Sequence, residues 1–248
     1  MKGLSNKANA KLLDPWGRMR RGLLARLWPQ QCFVCGGRAG LTVVCQACED
    51  MLPWHDSPSC PVCALPVPDG QTCGRCLKRP PHFDATLAAF EYEHPVREMI
   101  MALKFGAAFT VSDMLISALL AVASEADDLS ADIIVPMPLH RQRMAERGFN
   151  QSMELARGVG RALDLPVRAQ LLVRDADTRH QAGMPLRQRI KNVRGAFRCV
   201  ESIAGKRVLV IDDVMTSGAT LNELARTLKL AGAAQVSNLV VARTLRSK

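Results

Sequence analysis

The sequence reads as an α/β protein, a mostly parallel sheet covered by helices on both faces, preceded by a small module built on cysteines. Three observations carry this reading. Eight of the nine cysteines fall between residues 32 and 76 at strict spacing. From residue 82 onward, short β-branched or leucine-rich runs alternate with segments whose apolar residues recur at helical spacing. One such run, 208–211, leads into two adjacent carboxylates, Asp212 and Asp213, and then a loop rich in hydroxyls and glycine before a helical segment.

Length and composition bound the answer first. The 248 residues suggest one or two domains at about 150 residues each. With 48% hydrophobic and 23% charged residues, wholesale disorder is excluded. The longest apolar run, 111–123, is interrupted by Ser112, Asp113 and Ser117, so no stable membrane insertion is expected and a soluble, cytoplasmic protein is. A net charge of +10 favours polyanionic partners, either nucleic acid or phosphorylated small molecules. With 7 Phe, 3 Trp and 1 Tyr, a broad surface for stacking bases is not indicated.

Residues 1–31 form a basic segment, with Lys2, Lys7, Lys11, Arg18, Arg20, Arg21 and Arg26 set against Asp14. Trp16, Leu23, Leu24, Leu27 and Trp28 can share one side of a short helix. A helix docking on its own domain is expected, and an organellar presequence or a membrane-surface helix would present the same pattern. An apolar core and a small-residue cleavage site, the marks of a secretory signal, are missing from it.

The cysteines of 32–81 read Cys32-x2-Cys35-x9-Cys45-x2-Cys48 and then Cys60-x2-Cys63-x9-Cys73-x2-Cys76, so each recurs 28 positions later. Two residues between ligands let one turn aim two sulfurs at one ion, and two such turns close a tetrahedral thiolate shell. The pattern is that of two structural zinc ions in a duplicated ribbon, and a closed shell leaves no coordination position for chemistry. One ion per repeat is expected, although an interleaved set of Cys32, Cys35, Cys60 and Cys63 satisfies the same spacing. Gly36, Gly37 and Gly74 relieve crowding just past the ligands. The ninth cysteine, Cys199, lies among Phe197 and Val200 and is expected in the core.

Pro80 and Pro81 close this region, and residues 82–248 make the α/β domain. Strands are expected at 86–92, 132–135, 207–211 and 238–242, and helices at 96–105, 111–125 and 221–230. Phe149, Met153, Ala156, Val159 and Leu163 mark a further amphipathic helix. Strands separated by helices imply a parallel sheet with ligands at the C-terminal strand ends. Asp212 and Asp213 stand at such an end, able to accept hydrogen bonds from a diol or contact Mg²⁺. Thr216, Ser217, Gly218, Ala219 and Thr220 follow, and their backbone amides at a helix start suit a phosphate.

The stretch 208–220 resembles the phosphoribosyl-pyrophosphate (PRPP) motif of type I phosphoribosyltransferases. The similarity extends through Val135-Pro136-Met137-Pro138-Leu139-His140, through Arg147-Gly148-Phe149-Asn150-Gln151, and through Thr178, Gln181, Arg189, Asn192 and Val193. Together with the duplicated ribbon, residues from about Trp28 to Arg243 are similar to the ComF family of bacterial competence-related proteins, which includes GntX-like members. The resemblance implies a type I phosphoribosyltransferase fold behind a double zinc ribbon. It implies that Asp212 and Asp213 hold the ribose hydroxyls of PRPP with Mg²⁺ nearby, and that 216–220 cradle the 5-phosphate. Arg147 and Gly148 would face the pyrophosphate. Asn150 either joins them or caps the next helix, and Phe149 is expected in the core.

Residues 174–198 carry Arg174, Arg179, Arg187, Arg189, Lys191, Arg194 and Arg198, where this fold class has an active-site hood. Purine-salvage relatives carry an Asp where Thr216 stands, which argues against hypoxanthine or guanine as acceptor. Two functions stay open. One is Mg²⁺-dependent transfer of a phosphoribosyl group to an unidentified acceptor, linked to DNA uptake and use. The other is a non-catalytic PRPP-sensing or single-stranded-DNA-handling protein that keeps the fold and the ligand.

Overall fold

The computed structural model describes residues 30–105, 109–126, 129–174 and 193–245. The basic N-terminal segment and most of 174–198, including Thr178, Gln181, Arg189 and Asn192, lie outside them. By compactness the chain divides into two units, 1–52 and 53–248, and the two cysteine sets fall on either side of that division.

In the first unit, β1 (Gln30–Gln31) pairs antiparallel with β2 (Arg38–Gly40), and α1 (Gln46–Glu49) follows Cys45. In the second, α2 (Gly74–Lys78) follows Cys73 at the equivalent place. The 28-residue duplication recurs in the backbone. The N–H of Cys32 donates to Gly37 O at 2.7 Å and that of Cys60 to Leu65 O at 2.8 Å, while Gly36 and Ala64 donate back to Cys32 O and Cys60 O. Gly36 and Ala64 both sit at positive φ, +71° and +52°, so the second repeat forces an alanine into a conformation that favours glycine.

The remaining elements of the second unit include every strand and helix expected from the sequence, together with a short helix at 141–147 and two short strands at 172–174 and 197–199 that were not. They are β3 (Ala85–Glu91), α3 (Val96–Lys104), α4 (Phe109–Glu125), β4 (Ile133–Pro136), α5 (Arg141–Arg147), α6 (Gln151–Leu163), β5 (Leu172–Arg174), β6 (Phe197–Cys199), β7 (Arg207–Met215), α7 (Ala219–Leu230) and β8 (Gln235–Arg243). Four strands form a parallel sheet in the order β3-β8-β7-β4. Such strands are buried on both faces, hence their continuous apolar runs. Val208 and Val210 join a cluster with Leu221, Leu224 and Leu228 of α7, whereas Leu209 and Ile211, also buried, face the other way by strand alternation. There α4 and α6 pack on the sheet and on each other.

One difference from the sequence expectation concerns the site. β7 does not stop at Ile211 but runs to Met215, because β8 pairs with it throughout, Asp212 opposite Val240 and Met215 opposite Arg243. The acidic pair therefore sits inside a hydrogen-bonded strand and not in the loop beyond it. Cys199 is half-buried at the end of β6, packed against the core cluster as expected but with its thiol donating to Glu201 O at 3.1 Å. The hairpin-like pair β5–β6 is antiparallel and brackets 175–196. No helix among the described residues is long and apolar enough to cross a membrane.

Candidate metal centres and anion-binding cleft

Each repeat gathers its own four cysteines. Cys32, Cys35, Cys45 and Cys48 form one group and Cys60, Cys63, Cys73 and Cys76 the other, all sulfurs within 4.8 Å of one another in each. This excludes the interleaved set. The sulfurs of Cys35 and Cys45 are 3.8 Å apart and those of Cys63 and Cys73 are 3.7 Å apart. A tetrahedron with Zn–S bonds of about 2.3 Å has edges of about 3.8 Å, so the groups fit zinc and lack an open position. Backbone amides support the thiolates equivalently, Cys45 N–H on Cys32 Sγ at 3.4 Å and Cys73 N–H on Cys60 Sγ at 3.3 Å.

Crowded thiols without a cation cannot all ionise. Burial opposes ionisation of Cys32, but the amides of Cys35, Cys45 and Val34 outweigh it and bring its thiol down to about 6. The hydrogen bond with Cys45, and then burial, push Cys48 up to about 12. In the second group burial works to raise Cys73, yet hydrogen bonds from Cys76 lower it to about 7, while burial pushes Cys76 up. One bound divalent cation removes this conflict in each group.

The second site is a cleft of about 310 Å³ at the C-terminal end of β7, whose wall includes Asp212, Asp213, the loop 216–220 and the basic side chains Lys104, Arg143, Arg147 and Arg174. Both carboxylates are buried, at 8% and 7% exposure. Three elements converge on them. Lys104, the last residue of α3, places Nζ 2.7 Å from Asp213 Oδ2. The first turn of α6 supplies Gln151, whose Nε2 donates to Asp213 Oδ2 at 3.3 Å, and Ser152, whose hydroxyl donates to Asp212 Oδ1 at 3.2 Å. Arg147 is tied in through Gln151, its Nη1 donating to Oε1 at 3.2 Å.

Adjacent buried carboxylates with one ammonium cannot both carry full charge. Burial, together with the charge of Asp213, pushes Asp212 up to about 8. Burial also works to raise Asp213, but the Lys104 ammonium outweighs it and holds this carboxyl below its ordinary value. Burial thus favours the protonated form of Asp212, while Asp213 keeps its ion pair with Lys104.

The loop that follows is a compact turn of small residues leading into α7. Gly218 adopts φ +77°, a left-handed conformation that favours glycine, so the turn itself calls for this residue. It caps α7, while the Ser217 hydroxyl accepts from Ala219 N–H at 3.3 Å. Of the other residues singled out in the sequence, Gly148 is the left-handed C-cap of α5 at φ +75° and is not part of the cleft wall. Asn150 caps α6, its side chain accepting from Ser152 N–H at 3.0 Å and donating to Met137 O at 3.0 Å. Phe149 is half-buried.

Lys104, Arg143 and Ser152 did not stand out in the sequence, and Arg174 figures there only as one of the basic residues of 174–198. Lys104 closes an otherwise apolar helical face, which is a faint signal. Arg174 lies 5.5 Å above the Phe197 ring, a pairing of β5 with β6 that sequence does not reveal.

Elemental analysis of purified protein should give two zinc ions per chain, and Cys48→Ser should lower the value to one. A value near zero with the cysteines in disulfides would refute the assignment. A separate outcome concerns Asp212. Because its folded value is raised, its stabilisation is complete below the ordinary value of 3.8 and is lost as pH rises through about 8. Asp212→Asn should therefore melt a few degrees above wild type at pH 9, at about 2–4 °C per kcal/mol, and the gap should close near pH 4. An equal gap at both pH values would contradict the shared-proton arrangement.

Residues 23–77 match the double zinc ribbon domain, and residues 147–248 match the phosphoribosyl transferase domain. The chain is 31% identical over 227 residues to the DNA utilization protein YhgH of Escherichia coli K12, covering 88% of this chain and 98% of that one. It is 28% identical over 223 residues to competence protein F of Haemophilus influenzae, covering 86% and 96%. Competence protein ComFC of Bacillus subtilis is 27% identical over 213 residues, covering 81% and 84%. With both cysteine groups closed in the ribbon pattern and the acidic pair and small-residue loop on a parallel sheet, the chain belongs to the ComF family of double-zinc-ribbon, phosphoribosyltransferase-like proteins.

Proposed function

We propose that the cleft at the end of β7 binds PRPP and transfers its phosphoribosyl group to a nitrogen acceptor, in a role connected with the use of DNA. The observation that carries this reading is the buried Asp212–Asp213 pair beside the 216–220 loop, with three arginines on the same wall. Ribose hydroxyls are donors, and the two carboxylates are acceptors fixed by Ser152, Gln151 and Lys104. The loop amides and the start of α7 suit the 5-phosphate. Arg147, Arg143 and Arg174 supply positive charge for the pyrophosphate, Arg147 on a short tether to Gln151.

In the reaction, the bond from the anomeric carbon to pyrophosphate breaks and a bond to the acceptor nitrogen forms, the nitrogen giving up its proton. The chain's part is to orient the ribose and stabilise the departing charge. Carboxylate oxygens suit Mg²⁺, which when bound with PRPP would add charge to the leaving group. Binding of the diol by an ionised Asp212 would draw its proton away, so PRPP affinity should rise from pH 6 toward pH 9.

Calorimetry with PRPP and Mg²⁺ on wild type, Asp212→Asn and Asp213→Asn tests the site. Each substitution should weaken binding at least tenfold, on the order of one lost charged hydrogen bond. Equal affinity in all three would end this reading. Pyrophosphate release, scored with candidate acceptors and with single-stranded DNA, then separates turnover from PRPP binding without turnover.

The names of the relatives, which mention DNA utilization and competence, and the basic segments 1–31 and 174–198 support single-stranded DNA as a partner. Binding should be sequence-independent and should weaken with salt at a log–log slope of roughly −0.7 per phosphate contacted. A salt-insensitive affinity, or none at low salt, would count against it.

A further inference from the structure

The second cysteine group does more than fold its own repeat. Cys60, Cys63, Ala64 and Cys76 are buried in one cluster with Phe83, Leu221 and Leu224 of the α/β part. Two arginines then link this group to the loop after β7. Arg243, the last residue of β8 and 1% exposed, donates from Nε to the carbonyl of Cys63 at 2.8 Å. Its Nη1 donates to Met215 O at 2.8 Å and also to Thr216 O. Arg75, between the ligands Cys73 and Cys76 on α2, donates from Nη2 to Ser217 O at 2.8 Å.

Three successive carbonyls, of Met215, Thr216 and Ser217, are therefore held by side chains that are themselves tied to the cysteine group. In a trans peptide the N–H points opposite to the C=O of the same plane. Fixing these carbonyls turns the N–H groups of Thr216, Ser217 and Gly218 away from the arginines, and these three residues line the cleft. Aligned amides of this kind form an anion-binding concavity.

We infer that Arg243 and Arg75 are positioning residues for the anion-binding loop, and that metal in the Cys60–Cys63–Cys73–Cys76 group, by fixing Cys63 and α2, sets the affinity of the cleft for a phosphorylated ligand. The inference rests on the reading of 216–220 as a phosphate cradle, but its structural half can be measured without any ligand. The reporter is amide hydrogen exchange in a peptide spanning 213–221 of the full chain, with a peptide from α4 as internal control.

Arg75→Ala removes an exposed side chain that is not a metal ligand, so fold and zinc content should be retained. Exchange of 213–221 should accelerate at least threefold with α4 unchanged, and PRPP affinity should fall about fivefold. Arg75→Lys, which keeps a donor, should recover most of that loss. Cys60→Ser, which lowers zinc to one per chain, should accelerate exchange further and weaken PRPP more than Arg75→Ala does. Wild-type exchange in 213–221 for both Arg75→Ala and Cys60→Ser would overturn the inference. If exchange responds as stated but wild type shows no PRPP affinity, the coupling stands and the ligand assignment alone fails.

Discussion

Two carboxylates on neighbouring residues of one buried strand are an unstable arrangement, and much of the second unit is organised around tolerating it. Strand pairing cannot relax it, because β8 pairs with β7 up to and beyond both residues. Relief comes from outside the strand. An ammonium arrives from the end of α3, a hydroxyl and an amide from the start of α6, and burial favours the protonated form of Asp212. Each contributing helix ends or begins at the same edge of the sheet, which places Lys104, Gln151 and Ser152 on the cleft side by topology. The residual cost falls on stability and would be recovered by a ligand that donates hydrogen bonds to both oxygens.

The backbone of this site was legible because it depends on local patterns. Strand-to-helix order, the small-residue loop and the cysteine spacing are all short-range features, and each produced the element expected. What the sequence hid was long-range. The extension of β7 through Asp212 and Asp213 follows from the length of β8, not from the residues of β7, whose carboxylates look like a strand ending. Lys104 lies more than a hundred residues before the carboxylate it neutralises. Arg243 was one basic residue among many until its four carbonyl partners, with Thr244 O the fourth, showed it to be a junction.

The cysteine groups show the same division. Spacing alone gave the ligands and their number, but left two pairings open. Geometry closed the question, because turns that each present two sulfurs also present an amide to the opposite pair, Cys45 N–H to Cys32 and Cys73 N–H to Cys60. Both return hydrogen bonds fall within a repeat.

The duplicated repeats have not kept equal freedom. At the residue after the second ligand, the first copy has a glycine with open space around its Cα, and the second has an alanine at positive φ with 1% of its surface exposed. A glycine turn in solvent can accept many neighbouring changes. A strained alanine wedged into a shared core can exchange for little except glycine, since a larger side chain meets both the backbone penalty and packed neighbours. Drift in this protein should therefore run at two speeds within one duplicated sequence. The copy absorbed into the α/β core is bound to the pace of the sheet, and its twin is left to vary around four fixed sulfurs.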